Sequence, residues 1–161
     1  MMMDFVDVHI EEVSGESKVV MDLDMRRFEK QFTRAQYKLD STVMTGMIPF
    51  MPMITGTFIN VTKAMSAAIA GTGYVYAAAP PYGRFLYYGK TMVSPETGST
   101  FASYGEKKVL VSQYKGKTNA KENLTYNKTA HPEARAEWYE EARKRYLKDW
   151  VNMTKATAGG G

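Results

Sequence analysis

The chain contains no cysteine, so disulfides, thiolate metal sites and a cysteine nucleophile are all excluded. Histidine is almost as scarce. His9 and His131 stand far apart, and neither sits beside acids at a metal-ligand spacing of the His-Glu-x-x-His kind. Long apolar runs are missing too. The longest weakly polar stretch, Met44 to Ile59, is interrupted by Gly46, Pro49, Pro52 and Gly56 and is shorter than the roughly 20 residues a membrane span requires. Met1 to Ile10 carries acids where a signal peptide would carry bases ahead of an apolar stretch, so production in the cytosol is expected. On that reading the Asn-x-Thr sequons at Asn60, Asn123, Asn127 and Asn152 are coincidental.

Charge of one sign is also lacking. The 21 basic and 17 acidic residues leave a net charge of +4, read as spread along the chain, where a nucleic-acid reader would gather lysine and arginine on one face. Phosphate chemistry finds no motif. Gly83 to Thr91 places five residues, not four, before Gly89-Lys90-Thr91, and Gly71-Thr72-Gly73 lacks the third glycine of a dinucleotide loop. The carboxylate pairs Glu11-Glu12 and Glu140-Glu141 are sequence neighbours, which point apart on a strand or helix and make no acid/base dyad. No nucleophile, base and oxyanion site assembles from these residues. The expectation is a non-enzymatic protein without metal or cofactor.

What is present suits one folded unit over residues 1–158, followed by a glycine tail at 159–161 expected to fray. Of the 161 residues, 44% are apolar and 24% charged, as in ordinary globular domains. Tyrosine (11) and methionine (12) are plentiful, and both suit irregular contact surfaces as well as cores. Residues 4 to 23 alternate around Ser14-Gly15-Glu16-Ser17 and predict two strands joined by a turn, with Asp22 or Asp24 placed to cap a helix. From Met25, apolar residues at Phe28, Phe32, Ala35, Leu39, Val43 and Met47 predict one helical face, ended by Gly46 and Pro49. A strand is expected to begin in Thr57 to Val61, and a hairpin to turn at Gly71-Thr72-Gly73. Tyr82 to Tyr88 reads as one or two helical turns closed by Gly89. Residues 90–128 read as an extended excursion, a hairpin with a basic tip at Lys115, Lys117 and Lys121. Pro132 suits the first position of a closing helix in which Trp138, Ala142, Tyr146 and Trp150 fall four apart. Acids at its front and bases at its rear complement the helix dipole.

Three stretches in order carry a resemblance. They are the first long helix running into Pro49-Phe50-Met51-Pro52 and Thr55-Gly56-Thr57-Phe58; Gly73-Tyr74-Val75-Tyr76 followed by Pro81-Tyr82-Gly83-Arg84-Phe85-Leu86-Tyr87-Tyr88-Gly89; and His131-Pro132-Glu133-Ala134-Arg135-Ala136-Glu137-Trp138-Tyr139-Glu140-Glu141-Ala142. Together they resemble the minor capsid proteins of siphophages infecting Gram-positive bacteria and, more distantly, tail-completion or neck proteins of the HK97 gp10 type. The resemblance spans about residues 25 to 153, with 90–128 adding little, and Gly83 stands where that pattern often has alanine.

The resemblance implies an α+β fold, a twisted antiparallel sheet packed by an N-terminal and a C-terminal helix. It also implies a homo-oligomeric ring, hexameric or dodecameric, at the head–tail neck of a virion. There the ring would meet adaptor, stopper, tail-terminator or tail-tube subunits and touch packaged double-stranded DNA without sequence preference. Candidate interface residues are Tyr82, Phe85, Tyr87, Tyr88, Lys115, Lys117, Lys121, Trp138 and Trp150, with core packing the competing assignment for the aromatic ones. The N-terminal strand pair and the 90–128 excursion are candidates for gripping adjoining rings. A sequence-independent DNA-binding module and a different tail component such as a tail terminator are the alternatives.

Overall fold

A computed structural model describes residues 8–14, 17–23 and 25–159. It is a mixed α+β structure with small, open antiparallel sheets and several helices. Strands β1 (Val8–Ser14) and β2 (Ser17–Leu23) pair antiparallel, with Val8 opposite Leu23 and Ser14 opposite Ser17. This is the expected strand pair; Gly15, Glu16 and Asp24 lie outside the described residues. Helix α1 (Arg26–Met47) follows. Met25, not an aspartate, is its N-cap and makes no side-chain capping bond, and Asp22 belongs to β2.

Two expectations about α1 need correction. Gly46 lies inside the helix instead of ending it, because α4 (Trp138–Thr157) crosses there. A Cβ on Gly46 would stand 2.9 Å from the Trp150 ring, so the missing side chain is what allows the two helices to approach. The buried stripe has also shifted. Ala35, Asp40, Met44 and Met47 are buried, whereas Phe28 and Phe32 are exposed and Leu39 and Val43 only partly covered. The chain then tightens directly into a 3-10 turn, Ile48–Phe50, and Pro49 in its first turn ends the α-helical pairing.

The expected strand at Thr57 is instead the first turn of helix α2 (Thr57–Ala68). Its hydroxyls explain why the alanine-rich segment beyond Gly73 finds no strand partner. Thr62 is fully buried; its hydroxyl donates to the Phe58 carbonyl at 2.8 Å and accepts the Ala79 N–H at 3.1 Å. Ser66, one turn later, accepts the Tyr76 N–H at 3.1 Å. Residues 76–79 are thus bonded to helix side chains in the way an edge strand would be bonded to backbone. The hairpin expected at Gly71-Thr72-Gly73 is replaced by a helix-to-coil turn fastened to α1. The Asp40 carboxylate, itself buried, accepts the N–H groups of Gly71 (2.7 Å) and Gly73 (3.1 Å) and the Gln36 amide (2.7 Å).

The Pro80–Pro81 bond is cis, and helix α3 (Gly83–Tyr88) closes at Gly89 in the left-handed region, as expected. Gly83 has no room for alanine, since a Cβ would meet the Ala78 backbone carbon at 2.7 Å. Beyond it, β3 (Met92–Val93) pairs antiparallel with β4 (Val109–Leu110), followed by a 3-10 turn, Val111–Gln113. No strand forms at Leu124–Tyr126; a single bridge joins Lys90 to Asn123.

Helix α4 begins at Trp138, not at Pro132. Residues 131–137 instead begin with a turn, closed by the Ala134 N–H on the His131 carbonyl at 3.0 Å, and bond to earlier segments. His131 Nδ1 donates to the Met51 carbonyl (2.8 Å), Arg135 N–H to the Phe50 carbonyl (3.0 Å), and Glu137 N–H to the Tyr87 carbonyl (2.8 Å). Glu137 absorbs the final change of direction at φ +52°, a left-handed conformation that costs a side-chain-bearing residue about 1–2 kcal/mol. The expected fraying tail is only partly visible: Gly159 lies beside Gln31 of α1, and residues 160–161 are outside the described range.

The Asp40 clamp yields a direct test. Asp40→Ala strands two backbone N–H donors and is expected to cost about 1.5–3 kcal/mol, the usual loss for hydrogen bonds to a charged group. Asp40→Asn keeps an acceptor of the same shape and should lose much less. Equal melting temperatures for the Ala and Asn variants would contradict the assignment.

Candidate subunit interface

The core gathers Met44, Met47, Phe50, Met51, Ile59, Trp138, Ala142 and Trp150. Trp138 is fully buried. Its indole N–H donates to the Ala77 carbonyl at 2.8 Å, and its ring meets Tyr87 (centroids 5.0 Å, 83°) and Phe58 (6.0 Å, 72°) edge to face. Trp150 is 5% exposed and packs on Tyr146 beside Gly46. Both tryptophans therefore pack in this chain's own core, Trp138 completely, while Trp150 also lines the groove between α1 and α4.

The aromatic cluster around α3 divides. Tyr87 turns inward to Trp138, Phe85 is half-buried, and Tyr82 and Tyr88 stay exposed. Burial, with the Glu140 and Glu137 carboxylates nearby, pushes the Tyr87 phenol up to about 12. Burial alone does the same to Tyr126, whose hydroxyl donates to the Leu86 carbonyl.

Lys115, Lys117 and Lys121 are exposed, but they do not form a hairpin tip. The tip of the β3–β4 hairpin is residues 94–108, and the three lysines lie on the return segment beyond β4. That segment is pinned back. The Tyr114 ring lies where side chains on Gly98 and Gly116 would clash, at 2.7 and 2.5 Å, and the Thr118 hydroxyl donates to the Gly98 carbonyl at 2.6 Å.

The tip itself is tightly built. The buried Ser94 hydroxyl accepts the Glu96 and Thr97 N–H groups and donates to the Glu106 carboxylate. The Ser103 N–H also bonds Glu106, and these two donors hold its carboxyl below the ordinary range. A turn from Ser103 to Glu106 closes with a backbone bond of 3.1 Å, with Gly105 at φ +83° as a type II turn demands. On this braced scaffold Tyr104 is fully exposed and Phe101 is 85% exposed.

A second apolar surface runs between α1 and α4. Leu39 and Val43 face Leu147 and Val151 across a groove of about 430 Å³, with Arg143 and Lys155 among its lining. The sequence named the 90–128 excursion without singling out Phe101 or Tyr104, and the α1–α4 groove was not foreseen as a site. Leu147 was legible only as a neighbour of the tryptophan stripe, and nothing in the pattern around Phe101 or Tyr104 separates an exposed aromatic from a buried one.

Polar bonding elsewhere on the surface is structural. Arg145 clamps Glu133 through two bonds of 2.9 and 2.8 Å and lies 4.7 Å over the Phe50 ring, which lowers the Glu133 carboxyl pKa and raises that of the guanidinium. Among the described residues, no group of three or more His, Asp or Glu side chains could hold a metal ion, and no helix is long and apolar enough to cross a membrane. Comparison with known proteins found no matching family model, no matching curated protein and no matching solved structure.

Tyr87 and Tyr126 give the fold an alkaline limit. Both phenols are raised from an ordinary 10 to about 12, so folding favours their neutral forms. That stability is complete below pH 10 and is lost as pH rises through about 12. Denaturant melts across this window should show the midpoint falling, and Tyr126→Phe should reduce the fall. A midpoint independent of pH between 10 and 12 would refute this.

Proposed function

We propose that this chain is a structural subunit of a tailed-phage virion, one copy of a hexameric or dodecameric ring at the joint between head and tail. The ring helps to seal the packaged genome and passes it at ejection. The observation that carries this reading is the pair of non-overlapping apolar surfaces, the α1–α4 groove and the Phe101–Tyr104 tip. A ring built from one subunit uses a heterologous contact, which needs two different faces on every copy. Exposed aromatics on a braced backbone suit such contacts because each offers a large area with few side-chain torsions to fix.

The finer architecture belongs to the same proposal. A twisted antiparallel sheet against the two long helices, residues 1–158 acting as one unit, and the 90–128 excursion gripping adaptor, stopper or tail subunits are features of the assembled neck. The excursion's contribution falls on Phe101 and Tyr104, because the segment carrying Lys115, Lys117 and Lys121 is folded back on Gly98.

The test uses infected cells and the purified protein together. Phe101→Ser with Tyr104→Ser is expected to melt like the wild type while separate heads and tails accumulate. The wild-type chain should be found in finished particles and form a ring countable by native mass spectrometry. A protein absent from particles and monomeric throughout, or one that turns over a small molecule, would defeat the proposal.

A basic stripe favours a second reading, a sequence-independent DNA-binding module. Arg27, Lys30, Arg34 and Lys38 recur every three or four residues along the exposed side of α1. If they meet phosphates, affinity for duplex DNA falls steeply with salt, and Lys30→Glu with Arg34→Glu lowers the slope by about 2. A protein with no affinity for duplex DNA at low salt would remove this reading.

A further inference from the structure

The charge that reads as evenly spread is uneven along the excursion, where residues 90–128 hold seven bases against three acids. Part of that charge lines a cleft of about 930 Å³ between α3 and the 100–108 tip. The cleft is otherwise apolar. Phe85, Leu86, Met92 and Leu124 line it and are only half-buried. Tyr82, 72% exposed, stands on the α3 side, and the fully exposed Tyr104 stands on the tip side. An open apolar hollow between two exposed rings is the kind of surface that a partner's side chains fill.

The charged groups of the cleft are not equally available. Glu106 is spent locally, one carboxylate oxygen taken by the Ser94 hydroxyl and the other by the Ser103 N–H. Lys90 is answered by Glu122 at 3.4 Å. Lys107 is exposed and has no partner among the described residues. Lys108 gives one hydrogen to the Thr100 carbonyl at 2.6 Å, which leaves two of its three ammonium donors for a guest. The surplus is positive, so the complementary guest is negative, and it carries apolar groups to cover the hollow. Nucleic acid fits this less well, because the two available cations are sequence neighbours and strand binding calls for cations spaced along a groove. A second copy also fits less well. Its exposed apolar side chains at Phe28, Leu147 and Val151 are flanked in sequence by Arg27, Lys30 and Lys148, and would bring like charge.

We propose that this cleft receives an acidic segment of a different virion subunit, one in which carboxylates alternate with aliphatic or aromatic side chains. The apolar side chains enter between Tyr82 and Tyr104, and the carboxylates meet Lys107 and Lys108. The docking rests on the reading of the chain as a neck subunit, and it names the chemistry of what the excursion grips.

A labelled peptide, Glu-Leu-Glu-Phe-Glu-Leu-Glu, serves as the probe, read by fluorescence anisotropy against the full-length protein. It should bind at low salt, and its counterpart with lysine in place of glutamate should not. Lys107→Glu with Lys108→Glu should weaken the probe at least about tenfold, and Tyr82→Ser at least about threefold. All three positions are exposed, so circular dichroism melts of the variants should match the wild type. No binding at low salt, equal affinity for the wild type and the doubly charge-reversed variant, or easier displacement by single-stranded oligothymidylate than by unlabelled peptide would overturn the docking. In particles, a photo-crosslinking phenylalanine in place of Tyr104 should join the chain to a carboxylate-rich segment of a different subunit. Crosslinks to DNA, or to residues 1–24 of another copy, where seven of the 17 acids lie, would overturn the docking and leave the ring reading standing. A chain absent from particles would defeat the ring reading and the docking with it.

Discussion

Everything in the helical body converges on one indole. Trp138 stands at the first turn of α4 and reaches the Ala77 carbonyl, the Tyr87 ring and the Phe58 ring together, and so joins α4 to the extended segment, α3 and α2. A buried indole N–H without an acceptor is costly, so the Ala77 carbonyl fixes the depth of the segment beneath it as firmly as the rings fix its sides. That constraint explains the late start of α4. Residues 131–137 are drawn along Met51, Phe50 and Tyr87 before the helix begins, and Glu137 takes up a left-handed backbone to let Trp138 enter.

Polar side chains then do work that strands do in other small α+β folds. Thr62 and Ser66 on α2 satisfy the backbone of residues 76–79, and Asp40 on α1 satisfies the turn before it. Because these groups are buried and their partners are backbone amides, they specify position more than they add stability. The aromatic rings do the reverse, contributing area and tolerating some freedom of angle. Glycine supplies the remaining tolerance, at Gly46 where α1 and α4 cross and at Gly83 against Ala78.

Elements governed by local pattern were legible in the sequence. The 3.6-residue period from Met25, the stripe from Trp138 to Trp150, the strands flanking Ser14–Ser17 and the Gly89 stop are found where periodicity and glycine place them. Elements decided at a distance were not. The β-branched run at Thr57 lies in a helix whose next residue, Thr62, accepts the Ala79 N–H of another segment, and no local propensity contains that contact. Pro132 carried a sound helix-start signal that the bonds from residues 131–137 to Phe50, Met51 and Tyr87 override. For the candidate surfaces, the sequence supplied the aromatic inventory without its burial. Tyr87 and Tyr88 are neighbours of identical type, yet one packs on Trp138 and the other is exposed.

The antiparallel packing of α4 on α1 joins segments about a hundred residues apart, as at Gly46 and Trp150. Contacts of such high sequence separation form late, because a long loop must close before they are rewarded. During synthesis Met47, Phe50 and Met51 emerge well before Trp138 and Ala142 exist to cover them. The α1–α4 groove is equally absent until the final helix has left the ribosome. A nascent chain thus has no finished surface to offer another copy, and the order of translation keeps immature subunits out of any assembly that uses this groove.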